Sequence, residues 1–271
     1  MSSLLEKSLA VIALLARHPE GLSVSTLAGR LGQPASGVHR LLRELARLGY
    51  VRQVQAQGDY RLTIKLPAMG LGFLGRAGIT DVAQPVLDRL AADSGELVRL
   101  SVADGDTLVW VAVAQGARGG LRYDPGQEQG VVAGLASSAS GLAWLSSLDD
   151  DRALALAAAQ QRDETGQEAR SGAAPVSLTG LPQVLAEARD RGYALAVDSY
   201  IPGMAAMAVP LCPPDGGAAL GCLSIAGPAV RLTPARMRDL APLLQAAASE
   251  LAEAAAGSQY FRSSRKSGKS Y

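Results

Sequence analysis

The apolar positions between residues 4 and 48 recur every three or four residues, in three short blocks separated by turn-forming residues. That spacing predicts three amphipathic helices. The first covers about Leu4–Arg17, with Leu5, Leu9, Ile12 and Leu15 at helical spacing. His18-Pro19-Glu20-Gly21 ends it, since Pro disfavours helix before it and Gly permits a reversal. Ser23 reads as the N-cap of a second helix, Val24–Leu31, buried through Val24, Leu27, Ala28 and Leu31. After a tight Gly32-Gln33-Pro34 turn, Pro34 suits the first turn of a third helix, where a missing N–H costs nothing, and Gly49 fits its end. On that helix Val38, Leu41, Leu42, Leu45 and Leu48 form one apolar stripe, leaving Ser36, His39, Arg40, Arg43 and Arg47 outward.

Tyr50–Val54 and Tyr60–Thr63 then alternate around the polar turn at residues 55–59, predicting a β-hairpin. A hairpin directly after a helix-turn-helix whose last helix has a basic outer face predicts a winged helix-turn-helix that reads a DNA major groove. Residues 65–78 are apolar but glycine-rich, and read either as a linker helix that pairs with a second subunit or as a loop packed on the wing.

From Asp81 the pattern becomes mixed helix and strand. A helix at 81–94 precedes strands at 96–103 and 107–114, joined by Asp104-Gly105-Asp106. Helices follow at about 137–147, 149–160 and 179–191, then strands at 193–199, 206–211 and 219–226, and an alanine-rich helix at 233–256. An antiparallel sheet with helices gathered on one side makes an α+β fold. The expected division is a DNA-binding head at 1–64, a linker helix at 65–80, a body at 81–256 and a disordered basic tail at 257–271.

Charge sharpens this division. Residues 1–78 carry 10 Lys/Arg against 4 Asp/Glu, a net +6, whereas residues 79–258 carry 12 against 21, a net −9. A basic head on an acidic body suits a polyanion partner for the head alone. The sequence has no run of 18 apolar residues, so no transmembrane helix is expected, and Glu6 and Lys7 argue against a signal peptide. Cys212 and Cys222 are too few for a disulfide framework and read as buried thiols of a cytoplasmic protein, with a redox pair as the other reading. Neither a Gly-x-Ser-x-Gly elbow, a phosphate-binding loop nor a His-Glu-x-x-His run is present, and His18 and His39 both lie in the head. No catalytic residue, metal or cofactor is expected. Asp149-Asp150-Asp151 precedes a helix and complements its dipole.

Ordered motifs across residues 4–256 are similar to those of the IclR family of bacterial transcription regulators. In the head these are Gly21-Leu22-Ser23, Leu27-Ala28, Leu31-Gly32, the Val38–Leu42 run, Leu45 and Leu48-Gly49-Tyr50-Val51. In the body they are Arg191-Gly192-Tyr193-Ala194, Tyr200-Ile201-Pro202-Gly203, Ala208-Val209-Pro210 and the Leu223–Pro228 run. The resemblance implies a winged helix-turn-helix joined by a linker helix to a GAF-like antiparallel-sheet effector domain. It also implies dimers or tetramers on double-stranded palindromic operators, and an organic acid or aromatic metabolite as effector. This chain departs from the pattern in carrying Ala35 and Gly37 at the start of the recognition helix, and Ala136-Ser137-Ser138, Ala196 and Ala226 in the body. The body departures remove polar groups and point to a larger or less charged effector.

The candidate DNA contacts are Ser23, Ser25, Thr26, Ser36, Gly37, His39, Arg40 and Arg43, with Arg52 and Arg61 on the wing. Ser140, Asp198 and Ser224 match pocket positions of the family, and Tyr123 and Ala139 complete the effector-binding set. Trp110 and Trp144 read as core before ligand platform. The expected function is a ligand-responsive, sequence-specific regulator, either repressor or activator. The alternatives are a small-molecule-binding GAF-like protein whose basic head makes protein contacts, and a non-specific DNA binder.

Overall fold

A computed structural model describes residues 3–55, 58–123, 128–164, 175–255 and 258, so the expected tail apart from Ser258 and the centre of the wing turn lie outside the described residues. The chain divides into two compact units, residues 1–76 and 77–271.

In the first unit, α1 (Leu4–Ala16) opens with a capping box. Ser3 Oγ accepts the Glu6 N–H, and Glu6 Oε2 accepts the Ser3 N–H. Ser23 caps α2 (Val24–Leu31), and Gly32 ends it at φ +59°, a left-handed position that favours glycine. Pro34 stands one position earlier than the pattern suggests, as the N-cap of α3 (Ala35–Arg47). The core of the unit is Val11, Leu15, Leu27, Val38 and Leu42, each at most 1 % exposed. Three stripe residues lie outside it: Leu5, Leu9 and Leu48 are exposed. Leu48 follows the last turn of α3 as its C-cap and no longer shares the buried face.

The wing is β1 (Val51–Gln53) paired antiparallel with β2 (Tyr60–Leu62), shorter than the alternation suggests. A third segment joins it: the Leu22 and Tyr60 N–H groups each donate to the other's carbonyl at 2.9 Å. The glycine-rich stretch is helical, as α4 (Lys65–Ala77).

The second unit contains α5 (Thr80–Ser94), β3 (Leu97–Asp104), β4 (Thr107–Gln115), α6 (Ala139–Ser146), α7 (Asp150–Glu164), α8 (Leu181–Arg191), β5 (Ala194–Val197), β6 (Met204–Pro210), β7 (Gly221–Pro228) and α9 (Pro234–Ala254). The strands form one antiparallel sheet in the order β4-β3-β7-β6-β5. Helices cover both faces, not one as the pattern suggested. Leu108, Trp110, Ala194, Ala208 and Cys222 share a core with α6, α7 and α8. Val98, Leu100, Met207, Leu223 and Ile225 point the other way by strand alternation and are equally buried, beneath α5 and α9. Every residue of β7 is therefore buried.

A β-bulge decides what faces what. Leu100 pairs with Ala112, but Ser101 pairs with Trp110, so Val111 is an extra residue in β4. It turns Trp110 to the side of Ser101 and Arg99, while Ala112 and Ala114 take the opposite face. At the far end of the sheet, Glu96 holds Arg231 by two contacts, Nε to Oε1 and Nη2 to Oε2, the latter 2.7 Å. A Cβ on Gly227 would collide with Glu96 Oε2, so any larger residue there would push the carboxylate out of this position. The Asp149 side chain accepts the Arg152 N–H at 2.8 Å, starting α7.

Leu42→Ala should destabilise the first unit by about 2–5 kcal/mol, as expected for a fully buried leucine. Leu48→Ala should change it by no more than about 0.5 kcal/mol, since that side chain is exposed. Urea unfolding of the two variants beside the parent chain checks the contrast.

Candidate functional site

The head presents α3 as a two-sided helix. Ser36, His39, Arg40, Arg43 and Arg47 are all exposed, opposite the buried Val38, Leu41, Leu42 and Leu45. Arg47 Nε pairs with Glu44 Oε2 at 3.0 Å. Arg40 and Arg43 form no ion pair among the described residues, so both guanidinium groups can fork to a guanine edge or a phosphate. Ser36 lies in the first turn of α3, whose N-cap Pro34 provides no side-chain acceptor. Its N–H and hydroxyl suit a phosphate oxygen. A Cβ added to Gly37 would meet nothing within 4 Å, so glycine there is not required by packing.

At the start of α2, Ser23 Oγ lies 2.9 Å from both Ser25 Oγ and Thr26 Oγ1, a cluster of three hydroxyls beside the α2 cap. On the wing, Arg52 and Arg61 stand directly opposite each other across β1 and β2. Like charges in that position repel. Arg52 is exposed, and the buried Arg61 Nε has no acceptor among the described residues.

The body contains a cavity of about 20 Å³ lined by Arg99, Tyr123, Ser138, Ala139, Tyr200 and Met204, with Ala196, Ala205, Ala206 and Ala226 among its other walls. Its polar end is Arg99, whose Nη1 donates to Glu128 Oε2 at 2.5 Å. The Tyr123 hydroxyl donates to Glu128 Oε1 at 2.6 Å. The guanidinium lies over the Trp110 ring at 4.6 Å from its centroid, a cation–π contact. Trp110 in turn meets Tyr200 edge-on at 5.4 Å and donates from Nε1 to Ser140 Oγ at 3.3 Å.

Of the sequence-derived effector set, Tyr123 and Ala139 line the cavity. Ser140 and Ser224 are buried behind it: Ser140 accepts from Trp110, and Ser224 Oγ donates to the Arg99 carbonyl at 3.4 Å. Asp198 stands apart, exposed at φ +55° with Oδ1 accepting the Gly203 N–H at 2.6 Å. It shapes the turn that supplies Tyr200 and Ile201 to the cavity wall. Trp144 is a core residue.

Sequence reading missed Arg99 and Glu128. The alternation of β3 does place Arg99 and Ser101 on one face, but nothing in the sequence ties that face to a residue 29 positions later. Two of the alanines that depart from the family pattern, Ala196 and Ala226, line the cavity. Cys222 is buried, which pushes its thiol well above the usual range. Cys212 is exposed, contrary to the expectation of two buried thiols.

A winged helix-turn-helix with an exposed basic helix, and a second unit whose sheet holds a lined cavity, define a DNA-binding transcription regulator with an effector-binding domain. Residues 4–55 match the IclR helix-turn-helix domain, and residues 72–253 match the family described as bacterial transcriptional regulator IclR C-terminal. The chain belongs to the IclR family. It is 28 % identical over 255 residues to the acetate operon repressor of Salmonella typhimurium, covering 94 % of this chain and 90 % of that one. The crystal structure of a putative IclR transcriptional regulator from Silicibacter sp. superposes with a TM-score of 0.70 at 27 % identity, covering 92 % of this chain and 96 % of that one. An IclR homologue from Microbacterium hydrocarbonoxydans, solved in complex with 4-hydroxybenzoate, shares the fold at a TM-score of 0.67 and 20 % identity over 93 % of this chain and all of that one.

Replacing Arg52 by Thr should raise the stability of the head by about 0.2–1 kcal/mol, because it removes a like-charge cross-strand pair. The same change should weaken DNA binding. A thermal melt and a DNA titration of the one variant test both halves.

Proposed function

We propose that this chain is an effector-responsive regulator that binds palindromic double-stranded DNA as a homodimer or tetramer, in the cytoplasm and without a catalytic step. The observation that carries this reading is α3: four buried apolar residues fix it in a winged frame while Arg40 and Arg43 remain exposed and outside any ion pair among the described residues. Ser23, Ser25, Thr26, Ser36, Gly37, His39 and the wing arginines Arg52 and Arg61 add phosphate and groove contacts.

Self-association is supported by large apolar side chains exposed outside the core. Leu4, Leu5 and Leu9 on α1, and Ile64, Met69 and Leu71 at and along α4, are each at least 54 % exposed. A second copy covers such faces most simply. Two heads then read half-sites about one helical turn, roughly 34 Å, apart.

The body binds a small organic effector in the cavity lined by Arg99, Tyr123 and Ala139. Ser140 and Ser224 support that cavity from behind, and Asp198 holds the turn at its wall. The effector acts by binding one arrangement of the heads better than another. Repression is the favoured direction, that being the named activity of the Salmonella typhimurium relative.

Fluorescence anisotropy with DNA from upstream of the protein's own gene, against a scrambled fragment and over a range of salt, tests the reading. The parent chain should bind the native fragment preferentially. Arg40→Ala with Arg43→Ala should abolish that preference and flatten the dependence of log K on log salt by about 0.9 for each phosphate that an arginine no longer neutralises. Unchanged affinity and slope in the double variant would place the DNA-reading surface elsewhere, and equal binding to both fragments would make the protein a non-specific binder.

A further inference from the structure

Arg99 bears on which charge class of molecule the body accepts. It sits on β3, within a sheet covered on both faces, and its side chain and that of Glu128 are each only 6 % exposed. The two together are neutral. Both Glu128 oxygens are occupied, one by Arg99 Nη1 and the other by the Tyr123 hydroxyl. The Arg99 Nε–H, in contrast, is fully buried and has no acceptor among the described residues. Arg99 is also the cationic residue of the cavity wall. A buried orphan donor on a charged group is rare and unfavourable, and an acceptor atom brought by a ligand relieves it.

The rest of the wall is apolar or already satisfied. Five alanines line it, and the Ser138 hydroxyl is engaged with the Gly134 carbonyl and the Gly141 N–H. A carboxylate entering this cavity meets a guanidinium already neutralised and adds a second negative charge beside Glu128. Attraction and repulsion then act over similar distances and nearly cancel, and the desolvation of the carboxylate is left uncompensated. A carbonyl or amide oxygen takes the Nε–H without that penalty.

We propose that the cavity selects a small uncharged organic molecule presenting an acceptor oxygen to Arg99 Nε, and that Glu128 is the residue that sets this preference. The inference rests on the effector reading given above and narrows it to one charge class. At about 20 Å³ the cavity holds little more than one water, so a larger ligand enters by displacing the wall that the Asp198–Gly203 turn supplies.

The test uses matched pairs that differ in charge and little in shape: acetamide and acetate, benzamide and benzoate, nicotinamide and nicotinate. Binding to the full-length protein is read by ligand-observed NMR titration. In the parent chain the amide of a binding pair should bind at least about tenfold more tightly than its acid. Glu128→Gln keeps an acceptor for Arg99 but removes the charge, and should reverse that order by strengthening the acid at least about tenfold. Because breaking a buried ion pair can unfold a protein, Arg99→Gln with Glu128→Gln provides a second variant, neutral throughout, in which no cation offsets the desolvation of a carboxylate and the amide should stay ahead of the acid. An acid preferred by the parent chain or by the double variant, or an amide preference that persists in folded Glu128→Gln, overturns the assignment of charge specificity to Glu128 while leaving the cavity as the effector site. Binding of no pair to any of the three proteins overturns the effector reading itself.

Discussion

A guanidinium on a strand covered from both sides must draw its counter-charge from within the protein, and the arrangement of the body follows from that requirement at Arg99. Glu128 supplies the counter-charge and Tyr123 holds Glu128. Trp110 supplies a ring face under the guanidinium. That last contact exists only because of the bulge at Val111. Without the extra residue, strand alternation would turn Trp110 to the opposite face, toward α5 and α9. One residue inserted in an edge strand thus lets a large aromatic side chain share the cavity side of the sheet with the arginine.

The head answers a different constraint. With few residues it must bury enough apolar surface to fold and still leave one helix face bare. It does so by tying the turn between α1 and α2 into the wing through the Leu22–Tyr60 bridge, so that the hairpin is not an isolated two-stranded appendage. The Thr63 hydroxyl adds a bond to the Gly49 carbonyl at 2.6 Å, fastening the end of β2 to the end of α3. Recognition helix and wing are held as one piece.

Much of this was readable from spacing. Val38, Leu41, Leu42 and Leu45 repeat at helical intervals, and four anchors suffice to orient α3 and expose its arginines. The hairpin of β3 and β4 announced itself through Asp104-Gly105-Asp106. What stayed hidden depended on contacts distant in sequence. β3 reads as alternating, with Arg99 and Ser101 on one side, which is the signature of a half-exposed strand. The structure instead covers that polar side with α6, α7 and α8, so the helices lie on both faces. The partner that makes burial of Arg99 tolerable, Glu128, lies in a stretch without periodicity. Leu5, Leu9 and Leu48 failed in the opposite sense: they fit the helical repeat, but no element among the described residues of their unit covers them.

The alanines around the cavity have a consequence for how such a protein changes over generations. Ala139, Ala196, Ala206 and Ala226 are each one atom short of serine. A single-base codon change at any of them adds one hydroxyl to the wall. The ligand repertoire can therefore drift in small, independent steps while the Arg99 scaffold and the DNA-reading head stay untouched, and new specificities are reachable without passing through unfolded intermediates.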